Sequence, residues 1–355
     1  MTVSDPILVT GAAGFIGYHM ARRLLTDGWS VVGLDNLNDY YDPSIKRARL
    51  KRLLAYSNFH FEERDLADRQ AMRESFSSWR FTRVLHLAAQ AGVRHSIEHP
   101  EDYVDSNLSG FLNVLEGCRK VGCQHLIYAS SSSVYGANAR LPWRTSDTAD
   151  HPLSLYGATK RANELMVHAY AHLYGIPATG LRFFTVYGPW GRPDMAVWLF
   201  TAAIMQGKPV RLYNNGHMRR DFTYIDDVVE AVVRLIGQPP TANEHFANSP
   251  PAPASSTAPW RIYNIGNCRP IGLLSLVNVI ENAVGRPANI ELLPLQPGDV
   301  PETCADSSDL ETAVGFKPTT SIETGVRSFV EWLREFQNGP RTLETMSTAV
   351  PHRQI

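Results

Sequence analysis

Short apolar runs alternate with amphipathic helical patterns from Ile7 to about Phe184. The runs Ile7–Thr10, Ser30–Asp35, Arg83–Leu87, Gln124–Ser130 and Pro177–Phe184 are nearly continuous in apolar character. Strands of a parallel sheet read this way, because helices cover both faces. Helical periodicity fills the intervals, as over Phe15–Asp27 and Gly110–Val121, so the pattern predicts a doubly wound α/β fold. After Phe184 the rhythm breaks. A turn-rich stretch from Thr185 to Pro193 leads into shorter elements and a helix around Asp226–Ile236, which predicts a smaller C-terminal α+β lobe. The expected division is therefore residues 1–184 for the first domain, with some later segments returning to it, and residues 185–337 mainly for the lobe. Residues 238–259, rich in Pro, Ala, Ser and Asn, read as a flexible surface insertion. Residues 338–355 lack apolar periodicity and read as a disordered tail.

Composition narrows the classes of function. The 355 residues are 44% hydrophobic and 19% charged, enough to bury a sizeable core. A formal net charge of -1 provides no basic field for a polyanion, so nucleic acid is not an expected partner. The four cysteines form no Cys-x-x-Cys pair and no histidines interleave them, so no metal site is expected and the thiols read as reduced. The N-terminus has no charged-then-apolar leader, and no apolar run approaches the roughly 20 residues that span a bilayer. A cytoplasmic protein without a membrane partner is the expectation.

Chemistry begins at Thr10-Gly11-Ala-Ala-Gly14-Phe-Ile-Gly17, which follows the first strand and opens the first helix. A phosphate-binding turn needs this context: no side chains where the backbone approaches a pyrophosphate, and amide N–H groups at a helix N-terminus. Asp35 closes the second strand, where a carboxylate holds a ribose 2′-hydroxyl, and with Asn36 beside it favours NAD over NADP. Asp65 and Leu66 then read as edging the adenine, and Leu87, Ala88, Ala89 and Gln90 as small or polar residues that admit a cofactor closely.

At the end of the fifth strand stands Ser130-Ser-Ser-Ser133, at the carboxyl edge where doubly wound sheets bind ligands. Downstream, Tyr156 and Lys160 are four residues apart at the head of a helical pattern, so they share one face. A phenol, an ammonium and a serine hydroxyl converging on one alcohol form an acid–base device, with the cation drawing the phenol pKa down towards neutrality.

The glycine turn, the serine run before Val134-Tyr-Gly136 and Tyr156-Gly-Ala-Thr-Lys160 resemble the extended short-chain dehydrogenase/reductase superfamily over Ile7 to Glu335. Within it, Asp35-Asn-Leu-Asn-Asp-Tyr-Tyr-Asp42, Ala91-Gly-Val-Arg94, Arg182 to Met195, Arg220 to Asp227 and Gln296-Pro-Gly-Asp299 are similar to UDP-glucuronate 4-epimerases. The resemblance implies a Rossmann sheet, tightly bound NAD and 4-epimerisation of UDP-glucuronate to UDP-galacturonate through a 4-keto sugar. Tyr156 would take the C4-hydroxyl proton with Lys160 beside it, and Ser131, 25 residues before Tyr156, would assist in preference to Ser130, Ser132 and Ser133. The cofactor set then comprises Gly11, Gly14, Phe15, Ile16, Gly17, Asp35, Asn36, Asn38, Asp65, Leu66, Leu87, Ala88, Ala89, Gln90, Asn107, Ser130, Tyr156 and Lys160.

Galactose-type epimerases usually carry asparagine where Thr185 stands, which leans towards a uronic acid. Oxidising C4 of a uronate gives a β-keto acid that loses CO₂ readily, so its carboxylate must be held; Ser131, Ser132, Ser133, Thr185 and Arg192 are the candidates. Arg220 fits a diphosphate. Asp299 contacts the other end of the nucleotide sugar or serves a turn, and Arg94 approaches the sugar or pairs with an acid such as Glu98. A UDP-glucuronate decarboxylase, another UDP-hexose 4-epimerase and a catalytically silent NAD-binding module are the rival readings. A 4,6-dehydratase lacks its Asp-Glu pair here. Trp143 and Arg144 depart from the pattern of relatives without an assignable consequence. The resemblance also implies a homodimer: Ala162, Leu165, Met166, Ala169 and Leu173 form a helical stripe that either meets a second copy or packs on its own sheet.

Overall fold

The computed structural model describes residues 5–246 and 253–338. In chain order the first part consists of β1 (Ile7–Thr10), α1 (Phe15–Thr26), β2 (Val31–Asp35), α2 (Pro43–Leu53), β3 (Phe59–Glu63), α3 (Arg69–Ser78), β4 (Arg83–His86), α4 (His95–Glu98), α5 (Pro100–Val104), a π-helical turn (Asp105–Gly110), α6 (Phe111–Val121), β5 (His125–Ser131), α7 (Leu155–Tyr174) and β6 (Ala178–Phe183). The second part consists of β7 (Thr185–Tyr187), α8 (Ala196–Gln206), β8 (Pro209–Leu212), β9 (Arg219–Tyr224), α9 (Ile225–Ile236), β10 (Trp260–Ile265), β11 (Pro270–Gly272), α10 (Leu273–Val284), β12 (Asn289–Leu292), α11 (Ser308–Val314) and α12 (Ile322–Asn338).

Seven strands form one parallel sheet in the order β3-β2-β1-β4-β5-β6-β10. Alternation divides its side chains into two cores. Ile7, Val9, Val31 and Leu85 pack with Leu24, Val228 and Val232 of α1 and α9. Leu8, Val32, Val84 and Leu126 pack with Phe76, Phe111 and Val167 of α3, α6 and α7. The doubly wound reading holds, and the sheet's carboxyl edge gathers the glycine turn, Asp35, Gln90 and the serine run. Local signals set the helix that matters most: Ser154 accepts the N–H of Gly157 at 3.1 Å to cap α7, and Gly175 ends it in a left-handed conformation.

The smaller lobe is built on the sheets β7-β9-β11 and β8-β12, with α8, α10 and α12 enclosing Trp198, Phe222, Leu276, Phe329 and Leu333. Segments after residue 184 also contribute to the large sheet and its flanking helices. Strand β10 returns to pair with β6, and α9 and α11 supply side chains to the α1 side of the large sheet. The reading of 238–259 as a loose insertion is corrected for its described C-terminal end. Ala254 and Ala258 are buried, Ser256 accepts the N–H of Asn243, and the Ser256 hydroxyl contacts His168 of α7 at 2.8 Å. Small residues allow this packing, which composition alone does not distinguish from a flexible loop. Residues 247–252 and the tail from 339 lie outside the described residues.

Helix α7 is fixed to the sheet by a buried ion pair. Arg182 of β6 donates to Glu164 of α7 through Nε and Nη2, at 2.8 and 2.9 Å, with both side chains fully buried. The Ser130 hydroxyl donates to the same carboxylate at 2.6 Å, and the Arg182 guanidinium lies over the Tyr135 ring at 4.7 Å. These partners hold the Glu164 carboxyl below its usual range despite burial. Removing one member leaves a buried charge unpaired, so Glu164→Ala is expected to lower stability by roughly 3–5 kcal/mol, read as an earlier chemical-denaturation midpoint.

Candidate active site

The glycine turn has no room for side chains. A Cβ on Gly17 would come within 2.0 Å of the Gly11 carbonyl oxygen, and one on Gly11, at φ +70°, within 2.8 Å of the Ala88 amide. No side chain caps α1 after Gly14, so the amides of Phe15 and Ile16 stand at an open helix terminus. Asp35 spans the turn, accepting from Ala13 N at 3.1 Å and Leu37 N at 2.9 Å. Burial raises its pKa, opposed chiefly by the nearby charge of Lys46. Asn36 donates to Asp65 at 2.9 Å, which brings those two expected ligands together at the outer edge. Gln90 is buried and its Nε2 has no partner. An open cradle, a free helix terminus and an unpartnered donor amide fit a dinucleotide.

Two expected cofactor ligands also have partners within the protein. The Ser130 hydroxyl donates to Glu164, on the side of β5 that packs on α7. Asn107 is also engaged. Its Oδ1 accepts from Gln90 N at 2.9 Å, while Nδ2 donates to Gln90 O at 3.0 Å and Thr159 Oγ1 at 3.1 Å. It braces the loop after β4 against α7. Leu66 is buried, and its carbonyl accepts from Asn113.

Tyr156 and Ser131 meet where α7 begins beside the serine turn, and Lys160 follows one turn along the same helix. Contact is close enough that a Cβ on Gly157 would lie 2.6 Å from the Ser133 carbonyl oxygen. Ser131 ends β5 and accepts the Ser133 N–H at 3.1 Å. Burial raises the Tyr156 pKa, opposed by a hydrogen bond with Ser131 and by the charge of Arg192. Lys160 is 2% exposed, donates to the Ala129 carbonyl at 3.0 Å, and is lowered by burial to about 8. Tyr103, wholly buried, packs edge-on to Tyr156 at 6.1 Å and donates to the carbonyls of Gly92 at 2.6 Å and Ala91 at 3.1 Å.

Towards the lobe, Thr185, Gly188, Gly191 and Arg192 line one cavity with Tyr187 and Met195. Arg192 is paired with Asp194, Nε to Oδ1 at 3.0 Å, and its guanidinium stands 5.7 Å from the Tyr40 ring. Tyr40 donates to the same aspartate at 3.1 Å. A third cluster closes the cleft. Arg94 pairs with Asp299 at 2.7 Å, not with Glu98, and lies over Tyr213. Among the described residues Arg220 donates to the carbonyls of Arg219 and Pro301; burial lowers its pKa, opposed by the charge of Asp299 and aided by that of Arg94. Two guanidinium groups around one carboxylate leave an excess positive charge, suited to a diphosphate.

Sequence reasoning missed Lys46, Arg49, Asp194 and Glu164. Lys46 donates to Asn38 O at 2.8 Å and to its Oδ1. Arg49 reaches the Ala13 carbonyl at 2.9 Å. Both belong to a basic run, Lys46 to Arg52, that reads as a solvated face. Only Asp194 carried a signal, two residues after Arg192 in the quoted motif.

A nucleotide cradle beside a Ser–Tyr–Lys cluster defines a Rossmann-fold enzyme that acts on alcohols with a nicotinamide cofactor. The chain belongs to the NAD dependent epimerase/dehydratase family, whose model matches residues 7–249. It is 49% identical over 329 residues to a probable UDP-glucuronate 4-epimerase of Rhizobium meliloti (strain 1021), covering 92% of this chain and 96% of that protein. The UDP-glucuronic acid 4-epimerase of Bacillus cereus, solved with UDP-glucuronic acid and NAD, superposes with a TM-score of 0.81 at 31% identity over 93% of this chain and 99% of that one. A UDP-glucose 4-epimerase of Thermotoga maritima, solved with UDP-glucose, also gives 0.81, at 30% identity and the same coverage. Backbone shape therefore does not discriminate between the sugars; side chains must.

Lys160 makes the electrostatics testable. Its folded pKa, about 8, lies below the ordinary 10.5, so its charged form costs roughly 3 kcal/mol. The penalty is present below about pH 8 and disappears as pH rises towards 10.5. In NAD-stripped protein, Lys160→Met should raise the melting temperature at pH 7 by a few degrees and remove the part of the stability increase between pH 8 and 10 that Lys160 contributes; pH-resolved thermal denaturation checks both.

Proposed function

We propose that this protein interconverts UDP-glucuronate and UDP-galacturonate by inversion at C4 through a transient 4-keto sugar. The carrying observation is that Tyr156 meets Ser131 at the head of α7, one helical turn before Lys160, near Arg192 and the cavity that Arg192 lines with Thr185. Tyr156 removes the C4-hydroxyl proton and later returns one to the C4 oxygen. Ser131 hydrogen-bonds that oxygen, and Lys160 stabilises the phenolate by its charge. Bound NAD supplies reversible hydride acceptance and, when oxidised, a positive charge that opposes the burial-driven rise of the phenol pKa. Asp35 holds the adenosine ribose diol, and the Gly11–Gly17 turn takes the pyrophosphate.

The substrate's diphosphate occupies the excess positive charge of Arg94 and Arg220, with Asp299 holding Arg94 in place. Thr185, the hydroxyls of Ser132 and Ser133, and Arg192 face the C5 carboxylate. A β-keto acid decarboxylates when its C–CO₂⁻ bond aligns with the ketone π-system, so these groups keep the bond out of alignment. Residues 1–184, joined by β10, α9 and α11, serve the dinucleotide, and most of residues 185–337 serve the nucleotide sugar.

Two further features belong to this reading. Leu165, Ala169 and Leu173 of α7 are exposed, the leucines at 58% and 66%, whereas Val167 and Ala171 face the core. This outward stripe supports a homodimer. Cys118 and Cys123 are buried free thiols, in keeping with a reducing, cytoplasmic setting. No described helix is long and apolar enough to cross a membrane.

Purified protein should convert UDP-glucuronate to UDP-galacturonate without added NAD, as followed by proton NMR. A UDP-pentose with CO₂ as the main product would instead establish a decarboxylase, and no turnover of any UDP-sugar would favour a binding module. Tyr156→Phe should abolish conversion while retaining NAD absorbance. Leu165→Glu together with Leu173→Glu should halve the mass measured by sedimentation equilibrium.

A further inference from the structure

The turn that precedes Arg192 is strained and clamped. Trp190 adopts φ +61° and Gly188 φ +141°; for a bulky residue the first is an unfavourable left-handed conformation, held only where its surroundings over-determine it. Three successive carbonyls provide that determination. His19 Nε2 contacts the Pro189 carbonyl at 2.9 Å, and with its pKa lowered to about 3 the imidazole is neutral, a donor at that nitrogen. Arg49 Nη2 donates to the carbonyls of Trp190 at 2.7 Å and Gly191 at 3.0 Å.

The other arm of Arg49 reaches the cofactor turn. Nη1 donates to the Ala13 carbonyl at 2.9 Å and to the Tyr41 hydroxyl at 2.8 Å. The side chain is fully buried, and no carboxylate is among these acceptors. A guanidinium spent on three backbone carbonyls and one phenol fixes geometry more than it neutralises charge. It joins the glycine turn to the residue immediately before Arg192, and the neighbouring Tyr40 joins the same strand-end loop to Asp194.

We propose that Arg49 is a positioning residue of the reaction: by locking the Trp190–Gly191 turn onto the glycine turn, it sets the place of Arg192 and so determines whether the oxidised uronate keeps its carboxylate. The inference rests on the epimerase reading above. In the competing reaction the C5–C6 bond of the 4-keto uronate breaks, and its electron pair forms the enolate with oxygen at C4. CO₂ departs, and a proton added at C5 gives the 4-keto pentose. No external oxidant or reductant enters that step. A turn free to shift by about an ångström relaxes the hold on the carboxylate and opens this route.

The test is the ratio of UDP-pentose products, keto form included, to UDP-galacturonate, measured by NMR in wild type, Arg49→Lys and Tyr41→Phe, with NAD content recorded for each. The ratio counts turnovers and is independent of the folded fraction. Arg49→Lys keeps the charge but cannot bridge both turns; its decarboxylated fraction should rise roughly tenfold or more. Tyr41→Phe, a milder lesion for the case in which the lysine variant does not fold, should shift the ratio in the same direction. An unchanged ratio in whichever variants fold, with total activity and NAD content merely reduced, would assign Arg49 a structural role only and overturn the proposal. Failure of the wild type itself to form UDP-galacturonate would instead overturn the epimerase reading.

Discussion

The catalytic geometry depends on the ion pair between Glu164 and Arg182, which has no solvent to share its charge. Glu164 stands eight residues after Tyr156 and four after Lys160 on the same helix, while Arg182 belongs to β6 and Ser130 to β5. Because a buried carboxylate without its guanidinium is so costly, α7 has one favourable seating on the sheet. That seating brings the phenol to Ser131 and the ammonium to the Ala129 carbonyl. Apolar packing alone would permit small slides of a helix over a sheet; the forked pair does not. Tyr135, stacked on Trp143 at 5.0 Å and lying beneath Arg182, extends the same constraint into the serine turn and gives Trp143 a packing role.

The lobe is joined to the sheet by polar contacts with backbone atoms. Arg49 and His19 hold the Pro189–Gly191 turn, and Asp221, wholly buried on β9, accepts from the N–H groups of Ala305, Asn267 and Cys268. Such contacts fix loops that have too little apolar surface to fix themselves. The cleft is thus assembled from both ends: Arg192 is set from the cofactor side, and the segment leading back from Asp299 is set from the lobe. The return of β10 to the edge of the large sheet makes the two parts one covalently interlaced unit.

Much of this was legible in the sequence because it is local. Strand runs, the glycine turn, Asp35 at a strand end, and the Tyr-x-x-x-Lys spacing each depend on neighbours a few residues away. What was not legible has a common cause. Ser130 and Ser131 are adjacent and chemically identical, yet alternation on β5 directs one to Glu164 and the other to Tyr156. Nothing in the sequence around Asn107 shows that its amide binds Gln90 and Thr159. The segment around Ala254 to Pro259 has the composition of a loose loop and is buried, because α7 and β10 happen to offer it a surface.

By itself the sequence determined the doubly wound fold and the glycine turn, and it singled out Tyr156, Lys160 and Ser131 as the proposed proton-handling residues, since periodicity and spacing are properties of the chain. It also determined the family through strings such as Arg182 to Met195. The tertiary structure decided how charges are shared: which acid Arg94 takes, that Arg192 is tied to Asp194, that Arg220 donates to carbonyls while Asp299 stands near it, and that Arg49 is spent inside. Several of these contacts join residues tens to hundreds of positions apart, and in all of them the energy depends on burial and geometry that no local pattern encodes.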